Sequence, residues 1–450
     1  MLSVTPPGAT AVVPPASVPL TSFAAAGVGL TGFGLAIALA APRVVAAPTA
    51  EGVIGTTHVG VLAFLTVAVL GAIHQFGPVV GRRPLRSVVV ARASGALMIA
   101  AAWMLPTGFA HGPEGLVVAG GLTGLVAVLL AAWNLSAPFA SSEGGVPVVG
   151  LRLAIGYLVL TVCFGVVYAI DRHTGWFPLL PNRVLAHAHL GLLGWLGLAY
   201  VAVAEKLWPM FLLAHRPRSR SGAVAVGAIG VGTLPLALGL LVASRSLAIL
   251  GGLAVAVGIG AHLTSLASTI RHRRRPLELL HGYVVVSAGF LVLGLVLGAV
   301  GGLAELSTLV RMRVVAAEVA ALLAWIALAV VGHAHKIVPF ISYTALRARG
   351  VRTNRQGGPL LFADLFRVLL ARMSLLAGSW GFALVVGGIL AGTGIAVVTG
   401  GWLVAFAGVL VTWNLAAGPL ERRRAAAVAA APGPGPRPPA PTEPKEEVLT

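Results

Sequence analysis

His58, His187 and His189 are the residues whose type and spacing could do chemistry in this 450-residue chain. Each lies in an otherwise apolar stretch, and a polar ring inside lipid costs free energy on the kcal/mol scale unless it finds a partner. Neutral imidazoles are good ligands for iron, copper or zinc. His187 and His189 stand two positions apart in the run AHAHLG, about 200° around a helix, so they point toward different neighbours and cannot easily bind one metal together. Each can face a different groove between helices, as on a helix shared by two sites. His58 occupies the place of His189 in a second apolar segment. Two imidazoles from facing helices can hold one haem iron from both sides.

The equivalence of these places comes from a repeated segment. Thr57-His58 to Gly77-Pro78, Ala188-His189 to Trp208-Pro209 and Glu318-Val319 to Val338-Pro339 superpose without a gap. Leu192-Leu193, Trp195, Leu198-Ala199 and Lys206 of the second recur as Leu322-Leu323, Trp325, Leu328-Ala329 and Lys336 of the third. At 1.5 Å per residue, positions 58, 189 and 319 share one depth, about 24 Å from positions 74, 205 and 335. Two polar layers follow, one holding His58, His187 and His189, the other His74, Glu205, His333 and His335. Glu205 and His74 are candidates for a proton path, and His333 and His335 are further candidate metal ligands. His74, Glu205 and His335 also stand where interfacial snorkelling accounts for them. His111, His173, His215 and His272 fall in loops, while His262 and His281 lie in or beside spans.

A chain that is 58% hydrophobic and 10% charged cannot cover a water-facing surface. The expected fold is all-α and polytopic, in a lipid bilayer. Spans of roughly 20 apolar residues begin near Ser22, Thr57, Val88, Gly115, Val148, Val184, Gly222, Ser246, Glu278, Val314, Met373 and Gly394. With alternating spans, 25 of the 31 lysines and arginines fall on one side, which makes that side and both termini cytoplasmic. The net charge of +18 is therefore explained by topology, and no nucleic-acid partner is expected. The single Cys163 lies inside a span and excludes an intrachain disulfide. Residues 1–20 read as a flexible N-terminus, 21–424 as the membrane domain and 425–450 as a disordered Ala/Pro-rich tail.

Flanking segments repeat as well. Val117-Val118-Ala119-Gly120-Gly121 leads to Trp133-Asn134-Leu135, as Val397-Val398-Thr399-Gly400-Gly401 leads to Trp413-Asn414-Leu415, and Gly251-Gly252 marks a fainter middle copy. The twelve spans thus divide into three four-helix units, with spans 2, 6 and 10 corresponding. Parallel repeats of this kind relate by an axis along the membrane normal. The third unit carries extra residues around Thr344–Leu365.

This architecture, with a histidine opening span 2 and a His-x-His helix of the same class, resembles subunit I of haem-copper oxidases. HAHLGLLGW running on to KLWP is similar to the His-x-His helix of C-type oxidases and nitric oxide reductases, and His58 with Gly71 and Pro78 to a low-spin haem ligand segment. GHAHKIVPF resembles small orphan members of the superfamily, including NnrS-like membrane proteins linked to nitric oxide. The resemblance implies a multi-pass protein of the bacterial plasma membrane that binds haem through His58 with His189 or His187. It also implies copper as a second metal, and an electron-donor cytochrome or partner subunit. The departures matter: the His-x-His pair sits on span 6 rather than 10, and span 7, Gly222 to Val242, has no histidine for copper. The expected function is electron transfer or nitric oxide, haem or copper handling without an evident copper centre. Two alternatives stand beside it: a transporter of protons, metal ions or small solutes using Glu205, and a divergent terminal oxidase or nitric oxide reductase using His262 or His333.

Overall fold

The computed structural model describes residues 12–430 apart from 142, 216–218 and 355. Among these residues all regular structure is helical, save an isolated bridge between Thr353 and Pro359. Twelve helices are long and apolar enough to cross a membrane: α1 (Ser17–Ala46), α2 (Glu51–Gly81), α3 (Val88–His111), α4 (Glu114–Phe139), α5 (Gly145–Thr174), α6 (Arg183–Leu212), α7 (Ser221–Leu241), α8 (Arg245–Arg271), α9 (Leu279–Leu303), α10 (Thr308–Ala348), α11 (Val368–Ala391) and α12 (Gly394–Ala430). α2 opens at Glu51 rather than Thr57, and α10 at Thr308 rather than Val314, because polar first turns extend the helices beyond their apolar runs. Most of the expected flexible N-terminus and Ala/Pro tail lies outside the described residues.

Local chemistry sets many helix ends. Ser87 and Ser307 cap α3 and α10 by accepting from Val90 N and Val310 N, which satisfies one of the free amide donors of a first turn. Glu278 and His281 form a reciprocal capping box at α9. The connections around 47–50, 112–113, 175–182, 242–244, 304–307 and 392–393 share one face, termed upper, and the others the opposite, lower face. Ion pairs tie each face together: Arg172 reaches Glu51 at 2.7 Å above, and Lys336 reaches Glu278 at 2.5 Å below. Asn134 Oδ1 accepts from Ser87 N at 2.9 Å, and Asn414 Oδ1 accepts from Arg367 N at 2.8 Å. The long lower connection before α11 has a small core of its own, Leu346, Leu360 and Leu365.

Burial separates inner from outer helices. In the most apolar windows of α6 and α10, 72% of residues are buried, and in α2 67%, against 28–50% in the other nine. The inner helices therefore carry Trp195 and Trp325, which are among the largest fully buried side chains. α2 and α6 also share an irregularity. Wide π-helical turns run from Val59 to Thr66, directly after His58, and from Leu190 to Gly197, directly after His189. Such turns recur at functional sites because they re-aim the side chains beside them.

Helix association in lipid depends on close backbone approach at small residues, since lipid tails are as apolar as leucine. Gly34 of α1 lies against the backbone of Ala405 on α12, closing the bundle, and Gly251 of α8 against Leu236 on α7. Among the described residues every consecutive pair of spans packs closely except α8 and α9. Gly34→Ala would drive a Cβ into the Ala405 backbone, at an expected cost of about 1–3 kcal/mol. Gly227→Ala, whose Cβ meets nothing within 4 Å, serves as control. Thermal unfolding in detergent is expected to show a lower midpoint for the first variant only.

Candidate functional site

Between the upper halves of the inner helices lies a cavity of about 1210 Å³, with His58, His187, His189 and Glu318 in its wall. His58 Nδ1 lies 2.8 Å from Ile54 O. A carbonyl only accepts, so Nδ1 carries the proton and Nε2 keeps its lone pair, with no protein partner among the described residues. Hydrogen bonding of the other ring nitrogen to backbone is how metal-ligating histidines are usually fixed. His187 faces His58 across the cavity, with ring centres 6.1 Å apart and planes 27° from parallel. Its Nδ1 is buried without a hydrogen-bond partner among the described residues. Gly165 makes room for the ring, because a Cβ there would stand 3.1 Å from His187 Cε1. Phe109 flanks His58 at 5.7 Å and Phe164 flanks His187 at 5.5 Å, so the two imidazoles sit between two phenyl rings.

His189 turns the other way. Its Nδ1 lies 2.8 Å from Leu185 O, and its Nε2 lies 3.2 Å from Glu318 Oε1 on α10. Both side chains are about a tenth exposed or less. Because Nδ1 must donate to the carbonyl, Nε2 meets the carboxyl either as imidazolium to carboxylate or as lone pair to carboxylic acid. In either form one proton is shared and the pair is neutral overall. The i, i+2 histidines of α6 thus face two grooves, as their spacing requires, and the residue opposite His58 is His187. The expected alternative, His189, has both nitrogens engaged.

The remaining candidates lie apart from this cavity. His74 bonds to Leu70 O at 2.8 Å and lines a small void with Ser22 and Ser94. The Glu205 carboxylate packs on Gly222 of α7 and interacts electrostatically with His262, which places it in a different groove from His74. His333 lies beside Tyr200, at 5.9 Å between ring centres, and His335 beside Tyr283 and Phe366 at 5.5 and 5.6 Å. Tyr200 also meets His262 edge-on at 5.4 Å. Among the described residues no group of three or more His, Cys, Asp or Glu side chains is placed to hold a metal ion. The five histidines named as metal ligands therefore divide into an upper facing pair, His58 with His187, the acid-bonded His189, and the separate His333 and His335.

Glu318 is a buried acid of the cavity wall that the sequence reading passed over. It aligns with Thr57 and Ala188 and precedes the position matched to the histidines, yet a carboxylate inside a span was signal enough. The cavity wall combines two imidazoles with a largely apolar lining. A metal between two imidazole nitrogens sets ring centres about 6 Å apart, from two bonds of about 2 Å plus the ring radii. Arg172, Arg183, Arg245 and Arg311 also line the cavity and can pair with carboxylates. No family model and no curated protein matches the chain.

Removing one partner of a buried pair leaves the other uncompensated, so Glu318→Ala is expected to cost about 3–5 kcal/mol. Glu318→Gln keeps an oxygen for the His189 Nε2 proton and costs less. Equal unfolding midpoints for the two variants would contradict the pair.

Proposed function

We propose that the protein is a haem-binding integral membrane protein of the bacterial plasma membrane, related in plan to subunit I of haem-copper oxidases and serving electron transfer or nitric oxide or haem handling. The observation that carries this reading is the facing of His58 and His187 at 6.1 Å inside a large cavity, each ring with a nitrogen that has no protein partner among the described residues. His58, through Nε2, and His187 would hold the iron, and the arginines of the cavity wall would pair with the propionates. Bound haem would supply one-electron redox chemistry. The protein's part is to keep both imidazoles neutral and oriented, by the Ile54 carbonyl for His58 and the Phe164 ring for His187.

Three four-helix units related about the membrane normal form part of this proposal. In support, α2, α6 and α10 are the most buried spans, and their prolines Pro78, Pro209 and Pro339 recur at one register. The π turns after His58 and His189 match, as do the Asn134 and Asn414 bonds to the loops before α3 and α11. We place the upper face in the periplasm and both termini in the cytoplasm, because the arginine-rich connections lie below.

The test is the absorption spectrum of the purified protein. The wild type is expected to show a six-coordinate low-spin haem, and His58→Ala to lose it. Protein that folds, runs as a single species and carries no porphyrin would overturn the reading.

A further inference from the structure

α8 and α9 are consecutive in the chain, yet among the described residues they are the neighbouring spans that do not pack on each other. Both meet α6 instead. His262 of α8 stands edge-on to Tyr200, with ring centres 5.4 Å apart, and His281 of α9 stands edge-on to Trp208 at 5.2 Å. The lower half of α6 is therefore the floor of a groove whose walls are α8 and α9. The helical period carries each wall downward. From Leu253 the face of α8 continues through Val257, Gly260 and Thr264 to Arg271, at intervals of three, four or seven residues that keep one side of a helix. From Leu303 the face of α9 continues through Val296 and Val292 to Val285 in the same way. All of these residues are exposed. A Cβ at Gly260 or Gly289 would meet nothing within 4 Å, so the groove has open space along its length.

Charge is concentrated at the lower end of this groove. Arg271, Arg273, Arg274 and Arg275 fall in or beside the connection that joins the two walls, and all are exposed. The backbone N–H groups of Arg274 and Arg275 donate to Leu212 O at the end of α6, at 2.9 and 3.2 Å, which fixes this connection to the floor of the groove. Its one acid, Glu278, is held by Lys336. The groove thus has an apolar length and a cationic end.

We propose that the α8–α9 groove seats one anionic diacyl phospholipid, with its phosphate on the Arg271–Arg275 connection and its acyl chains along the exposed faces of α8 and α9. Guanidinium groups hold phosphate through paired N–H···O bonds, and basic residues beside a bilayer surface attract anionic headgroups. A zwitterionic lipid brings an ammonium with its phosphate, which weakens the match to an arginine run. A second copy of the chain fits less well. An isologous pair meeting along this groove would set one arginine run against the other, whereas an anionic lipid brings the opposite charge. The proposal rests on the placement of the spans in a bilayer and not on haem, so failure of either reading leaves the other standing.

The experiment incubates the full chain in detergent micelles with equal amounts of dioleoylphosphatidylglycerol and dioleoylphosphatidylcholine. Native mass spectrometry then reads the lipid that stays on the protein after the detergent is released. One phosphatidylglycerol per chain is expected for the wild type, enriched about tenfold or more over phosphatidylcholine. The combined substitution Arg273→Gln, Arg274→Gln and Arg275→Gln is expected to abolish the enrichment. Arg347→Gln with Arg349→Gln, which removes exposed arginines at the lower end of α10, is the control and is expected to keep it. Gly260→Trp fills the groove from a position with open space and is expected to lower retention of both lipids while the unfolding midpoint holds. Equal retention of the two lipids by the wild type, enrichment that survives the triple arginine substitution, enrichment lost in the control, or retention unaffected by Gly260→Trp would each overturn the proposal. So would protein that keeps no lipid and runs as a dimer, which would give the groove to a second copy.

Discussion

A polar side chain inside a bilayer must find a partner, and the arrangement of α2, α6 and α10 follows from that constraint. The histidines at the upper ends of α2 and α6, and Glu318 on α10, are kept from lipid by nine less buried spans. Backbone carbonyls one turn back take the Nδ1 protons of His58 and His189, which leaves each Nε2 as the group with a choice. His189 spends that choice on Glu318, whereas His58 presents its nitrogen to the cavity. The difference between the two sites is therefore whether a facing helix supplies an acid or another imidazole.

α6 is the element that divides the cavity. Residues two apart on a helix cannot face one way, so His187 and His189 address α2 and α10 respectively. The π turns after His58 and His189 fall where the two chains of contacts begin, at the point where helix phase decides what a ring meets. Trp195 and Trp325 are fully buried, and Tyr200 meets Trp325, His262 and His333 edge-on. Among the described residues α8 and α9 are the consecutive spans that do not pack closely, which sets this side of the bundle apart from the others.

Much of this was legible in the sequence, for definable reasons. The apolar run length gave the twelve spans. The helical period gave the divergence of His187 from His189. Azimuth was harder. Alignment of His58 with His189 put them at one level, but the ring facing His58 belongs to His187, because relative helix rotation is set by packing that no single span encodes. Glu318 was hidden by the same alignment, which matched Val319 to the histidines and passed over the acid one residue earlier. The α8–α9 cleft is a property of two helices failing to pack, and neither sequence announces it.

The central claim is that His58 and His187, rather than His58 and His189, are the pair able to bind one iron. Electron paramagnetic resonance of the oxidised protein tests it most directly. The account predicts a low-spin signal in the wild type, its conversion to high spin in His187→Ala, and its survival in His189→Ala. A low-spin signal that survives in His187→Ala and disappears in His189→Ala would contradict it.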